Sequence, residues 1–200
     1  MTIVAASAFR SRRIAAVCAV NAACIAGAAH AQLPPDAAKL MDAQRKAMTA
    51  LRPMDGVWRG TAITTLPSGE RREVVQTERI GPFLQGTLKV IEGRGHDKDG
   101  QVAFNAFGIV SFDPRTGTYS MRSYAQGVAG DFPFTPTDDG YSWRIETPGA
   151  TIRFVATIRA GELHEIGERT TDGKTVRFFE MHLTRIGDTS WPAGEPVPPR

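Results

Sequence analysis

Residues 104–117, Phe-Asn-Ala-Phe-Gly-Ile-Val-Ser-Phe-Asp-Pro-Arg-Thr-Gly, decide the fold. Phe104, Ala106, Gly108, Val110 and Phe112 occupy every second position, the period of an extended strand with one face turned to a core. Asp113-Pro114-Arg115-Thr116-Gly117 then interrupts with residue types that favour chain reversal. The same alternation followed by a turn runs from Val57 to Arg185. Turn signals stand at Pro67-Ser68-Gly69, Gly81-Pro82, Asp97-Lys98-Asp99-Gly100, Asp138-Asp139-Gly140, Pro148-Gly149, Ala160-Gly161 and Asp172-Gly173. Between them, Tyr141, Trp143 and Ile145 share a face, as do Ile152, Phe154, Ala156 and Ile158, and then Phe179, Met181 and Leu183. Nine or ten strands are expected. No intervening helix is long enough for a parallel crossover, so neighbours must run antiparallel. Closing the sheet hides its edges best, so the expected fold is all-β: an up-and-down antiparallel barrel of about ten strands.

Ahead of the strands, Pro35 to Leu51 reads as one helix. Leu40 and Ala47, and Met41 and Met48, are seven apart, and Leu51 extends the stripe. Asp36 stands where it can cap the start, and Pro53 is expected to end the helix. The first 31 residues read as a cleaved export signal. Arg10-Ser11-Arg12-Arg13 precedes the apolar run from Ile14 to Ala28, and Ala29-His30-Ala31 offers a small-x-small cleavage site. Ala15 and Ala16 disfavour the twin-arginine route, and Asn21 disfavours lipidation at Cys24. The expected destination is the periplasm or beyond. The expected divisions are the signal at 1–31, helix and linker at 32–53, barrel at 54–187, and a disordered Pro-rich tail at 188–200.

Loss of the signal settles two composition questions. It removes three arginines and no acidic residue, so 24 basic residues fall to 21, matching the 21 acidic ones. A chain of zero net charge lacks the basic excess that releases counterions from nucleic acid. Both cysteines, Cys18 and Cys24, leave as well. Disulfide scaffolding, thiol catalysis and cysteine metal sites are thereby excluded. No nucleic-acid partner, and no membrane contact after cleavage, is expected.

Gly56-Val57-Trp58, with Gly60, opens the first strand, and Leu183-Thr184-Arg185 closes the last. Together with Phe179, Glu180 and the Glu168…Asp172-Gly173 segment, this resembles exported bacterial lipocalin-like barrels of the calycin superfamily. They are distant relatives of nitrobindin and fatty-acid-binding proteins. The resemblance implies a ten-stranded barrel and a small apolar ligand. It also implies closure of one end by Gly56, Trp58 and Arg185, the guanidinium lying over the indole and bonding nearby carbonyls. It carries over no activity.

Phe104, Phe107, Tyr119, Met121, Tyr124, Trp143 and Phe154 are bulky mid-strand residues and are the candidates to line a ligand pocket. An inward arginine among Arg122, Arg144 and Arg153 would receive a ligand carboxylate. The nitrobindin likeness raises haem, through His182, if Glu180, His182 and Thr184 face the lumen. The cheaper arrangement turns those three to solvent and Phe179, Met181 and Leu183 inward. His164 and His182 could hold zinc with a carboxylate if their strands pair, yet alternation groups His164 with Glu162, Ile166 and Glu168 on a mixed solvent face. Neither metal nor cofactor is expected. No Gly-x-Ser-x-Gly elbow, His-Glu-x-x-His helix or phosphate loop is present. The expected function is binding of a small hydrophobic molecule without covalent chemistry, by a monomer or homodimer. An isomerase or hydrolase on the same barrel would instead show inward His or Glu side chains with perturbed pKa values. A protein-interaction scaffold would show a filled interior and an exposed apolar patch.

Overall fold

A computed structural model describes residues 35–189; the stretch expected to be an export signal (1–31) and the expected tail from Ser190 onward lie outside the described residues. Within these residues the chain runs through helix α1 (Ala37–Met48), two 3-10 segments (Thr49–Met54 and Leu84–Gly86) and ten strands. These are β1 (Gly56–Thr65), β2 (Arg71–Phe83), β3 (Leu88–His96), β4 (Val102–Asp113), β5 (Thr118–Ala125), β6 (Val128–Thr137), β7 (Gly140–Thr147), β8 (Ala150–Arg159), β9 (Glu162–Thr171) and β10 (Lys174–Gly187). Every strand pairs antiparallel with its chain neighbours, and β1 also pairs with β10, so the sheet closes into a ten-stranded barrel. Closure leaves no free edge.

Local chemistry explains the short connections. The Ala160-Gly161 and Asp172-Gly173 turns on either side of β9 have both central residues at positive φ, the mirror-image turn whose twist matches a tight hairpin. The expected turn at Gly81-Pro82 is absent: β2 runs through it to Phe83, and the reversal falls at Leu84–Gly86. The proline is tolerated because β1 begins at Gly56, opposite Ile80. Beyond that point β2 pairs only with β3, so Pro82 stands where a ladder remains on one side alone.

Helix and 3-10 segment together plug one end. The α-helix stops earlier than its periodicity suggests, at Met48, and tightens into a 3-10 stretch that contains Pro53. Asp36 holds the N-cap position, but its side chain makes no capping bond. Met48, Leu51 and Met54 are buried with Trp58, Ile80, Val110 and Leu183 in one apolar cluster. Gln44 Nε2 donates to the Phe112 carbonyl (3.4 Å) and the Tyr119 hydroxyl to the Ala47 carbonyl (2.9 Å), fixing the helix to β4 and β5.

Gly56, Trp58 and Arg185 meet at this end. Trp58 is 1% exposed, and its indole N–H donates to the Met54 carbonyl at 2.9 Å. Arg185 is the register partner of Trp58, and its Nε donates to the Asp55 carbonyl at 3.1 Å. A Cβ on Gly56 would lie 2.7 Å from that Nε, so glycine there leaves room for the guanidinium.

Beside them Lys89, 2% exposed, is paired with Asp55, whose side chain is 28% exposed. Burial lowers the Lys89 pKa, and the Asp55 bond and charge oppose that shift. The two halves of the pair are therefore unequal. Asp55→Ala strands a buried ammonium and is expected to cost about 2–3 kcal/mol. Lys89→Met removes the buried charge, leaves a carboxylate that water can reach, and is expected to change stability by less than about 1 kcal/mol. Urea denaturation of the two variants checks this, and equal losses would contradict it.

Candidate lumen site

Alternation decides what the barrel encloses. Val74, Gln76, Glu78 and Ile80 of β2 share parity, as do Ile91 and Gly93 of β3, Ala106 and Gly108 of β4, Leu163 and Glu165 of β9, and Met181 of β10. All line one cavity of about 1000 Å³. That is the upper end of the volume range of small-molecule sites. It opens at the end away from the helix, beside Leu66, Arg72, His96, Phe104, Ala125 and Phe178. The wall is mostly apolar. Trp143 stacks on Phe154 (4.2 Å between centroids, 7° between planes), and Phe178 and Phe179 meet the Phe154 ring edge-on at 5.9 and 5.8 Å. A bulge between Arg177 and Phe179 is what brings both phenylalanines to the lumen.

Against this apolar wall stand two buried carboxyls, Glu78 (9% exposed) and Glu165 (7%). Glu78 Oε1 accepts from Gln76 Nε2 at 2.6 Å, and Glu165 Oε1 accepts from the Trp143 indole N–H at 3.0 Å. Burial pushes the Glu78 carboxyl up to about 8; the Gln76 bond opposes this, and the charges of Glu165 and Glu92 add to it. Glu165 rises to about 7, again through burial, with the Trp143 bond opposing. Buried Tyr141 also lines the cavity, and burial and then the two carboxyls raise its hydroxyl well above its ordinary value. Glycine makes the space: a Cβ on Gly93 would fall 2.7 Å from Glu78 Oε1 and 3.2 Å from Gln76 Nε2. On the opposite wall, a Cβ on Gly167 would press on Phe154 at 2.7 Å. At neutral pH Glu78 stays largely protonated and Glu165 is divided between acid and carboxylate, so the site presents an O–H donor and carboxyl acceptors inside an apolar tube.

Four of the seven pocket candidates, Phe104, Met121, Trp143 and Phe154, line the cavity. Tyr119 does not: it points inward but sits at the plugged end, holding the helix. Phe107 and Tyr124 have the opposite parity to Ala106 and Ala125 and lie on the outer wall, along a shallow groove with Glu92, Arg94 and Asn105. They belong outside because strand geometry sends alternate side chains to opposite faces. None of the three arginines weighed for an inward turn makes one. Arg122, Arg144 and Arg153 are all exposed, the first two paired with Asp131 and Glu146. His182 lies on the outer wall, its side chain 60% exposed, so it cannot reach an iron held in the lumen. The cheaper arrangement holds on β10, where Met181 and Leu183 are buried.

No family model matches this sequence, and no curated protein matches it. Among solved structures, the crystal structure of Rv2717c from M. tuberculosis is similar in fold, with a TM-score of 0.55 at 14% sequence identity. The match covers 70% of this chain and 97% of that one. At that identity the likeness is one of fold alone, that of a β-barrel, and it carries nothing about the chemistry of the lumen.

Proposed function

We propose that this protein is a periplasmic lipocalin-like carrier that takes a small, largely apolar molecule into its lumen. The observation that supports this most is the cavity of about 1000 Å³, apolar along its walls and holding the Glu78 and Glu165 carboxyls. Burying two acids in a core without use is costly, because each is desolvated. Their protonated forms fit a ligand whose polar end is a hydroxyl, a carbonyl or a basic nitrogen. A fatty-acid carboxylate fits poorly beside these acids, since Arg122, Arg144 and Arg153 lie on the outer wall and the cavity's own cations, Arg72 and Lys98, stand at its mouth. An open lumen of this size also disfavours a scaffold whose interior is filled.

A second reading draws on the same carboxyls. Acids titrating near neutrality are suited to moving protons to and from a bound molecule, as an isomerase or hydrolase requires. One experiment separates the two. N-phenyl-1-naphthylamine, an apolar fluorophore, should brighten on titration into the protein. Gly108→Leu, where a Cβ meets only ordinary contacts at 3.6 Å and beyond, should weaken that binding by about tenfold while the fold persists. Solvent extraction of protein from its native host, with mass spectrometry, should recover an apolar compound. Return of that compound unchanged after incubation supports carriage, and conversion that stops in Glu165→Gln supports catalysis. Probe binding insensitive to Gly108→Leu would place the probe outside the lumen and defeat the proposal.

A further inference from the structure

We infer that the outer wall of the barrel carries a site for one divalent transition-metal ion, formed by His164, His182 and Glu180. This site is independent of the lumen. His164 on β9 and His182 on β10 are direct register partners, and Glu180 lies two residues before His182 on the same outward face. The residues between them, Met181 on β10 and Glu165 on β9, point the other way, into the cavity. Strand pairing alone therefore brings two imidazoles and a carboxylate together on solvent-facing sheet.

The geometry is convergent. The two rings lie face to face, 4.0 Å between centroids and 15° between planes. Each directs its Nε2 at the same oxygen, Glu180 Oε1, at 3.0 Å from His164 and 3.2 Å from His182. The three ligand atoms all lie within 4.8 Å of one another. An ion entering here replaces the hydrogen bonds to Glu180: each imidazole carries its proton on Nδ1 and offers the Nε2 lone pair, and the carboxylate supplies the third ligand. Parallel rings send their lone pairs along parallel lines. Both must splay by a modest side-chain rotation to meet at one ion, and the exposure of His182 leaves room for it.

Donor chemistry selects the class of ion. Two imidazoles and one carboxylate suit zinc, nickel or copper(II), whereas magnesium and calcium prefer all-oxygen sets. The remaining positions open to water. Thr61 and Thr157 flank the histidine pair along the same row of register partners and bring no charge. The nearest competitor is Arg177, whose guanidinium lies 3.9 Å from Glu180 Oε1, but its side chain is 52% exposed and free to swing to solvent. A bound ion would join β9 to β10 from outside.

The test uses untagged full chain freed of metal by chelation and titrated with Zn2+ in a calorimeter. One ion per chain should bind with a micromolar dissociation constant, and the melting temperature should rise with Zn2+ but not with Mg2+. His164→Ala and His182→Ala should each weaken binding by at least about tenfold. His96→Ala, three strands away along the sheet, should leave zinc binding unchanged. Both cluster histidines are on the solvent face, so melting of the metal-free variants should match the parent. The Nε2 nitrogen resonances of His164 and His182 should move together on addition of zinc. Absence of a one-ion step, or a step that survives His182→Ala, overturns the inference.

Discussion

Replacing Trp58 by alanine is expected to cost about 3–5 kcal/mol, the range for emptying a large buried aromatic site. The side chain is 1% exposed, and it sits where β1 meets the plug of Met48, Leu51 and Met54. Collapse into the void is opposed on two sides. The barrel wall is tied by ladders on both edges of β1, and the plug is held to β4 and β5 through Gln44 and Tyr119. Trp58→Phe refines the expectation. It keeps most of the apolar area but leaves the Met54 carbonyl without its 2.9 Å donor, which should cost about 1–3 kcal/mol. Arg185→Ala should cost less than Trp58→Ala, because its side chain is partly exposed and its bond to the Asp55 carbonyl can pass to water. Chemical denaturation of the three variants gives the ranking. A Trp58→Ala loss below about 1 kcal/mol would mean that the plug does not depend on the indole.

Glu78→Gln should make the protein more stable above pH 8 and flatten its stability profile below that. The sign follows from proton binding. Glu78 titrates at about 8 in the folded chain against an ordinary 4.5, so between those values the folded state holds a proton that the unfolded state has lost. Stability therefore falls as pH rises through that window and levels off above about 8. Glu165, at about 7, contributes the same sign over a narrower window. A shift of this size corresponds to roughly 3–5 kcal/mol for Glu78 at the alkaline end. The glutamine variant retains the shape and can still accept from Gln76 Nε2, so the gain appears at pH 8 and is small near pH 5. Urea melts of parent and variant at both pH values measure it. Parallel profiles would show that Glu78 titrates normally and that water reaches it freely. A gain in stability joined to a loss of probe affinity would identify Glu78 as a group kept for binding at the expense of folding, as sites often are.

The two pocket acids show how far alternation reaches. Grouping His164 with Ile166 and Glu168 on one face already requires Glu165 to share the other with Leu163 and Gly167. Glu78 likewise shares parity with Ile80 and Val74. The signal was present, and the rule that charged side chains face water hid it, because that rule is statistical and fails at functional sites. Phe107 and Tyr124 show the converse: their bulk points to the pocket, but parity with Asn105 and Arg122 places them outside. The same parity argument puts His182 on the solvent face, and there the structure agrees.

What this sequence determines by itself is local: the strands and most of their turns, their antiparallel order, and which residues of a strand share a face. These follow from the two-residue side-chain period and from turn residues a few positions apart. The cost of open edges already points to closure, and the sheet does close. Only the tertiary structure decided that the lumen is open where a small barrel could have filled it, and that Glu78 and Glu165 occupy one cavity. It also decided that His164 and His182 stand opposite each other. Those facts depend on register between strands and on the bulk of side chains distant in the chain, and neither quantity is written in any single stretch of it.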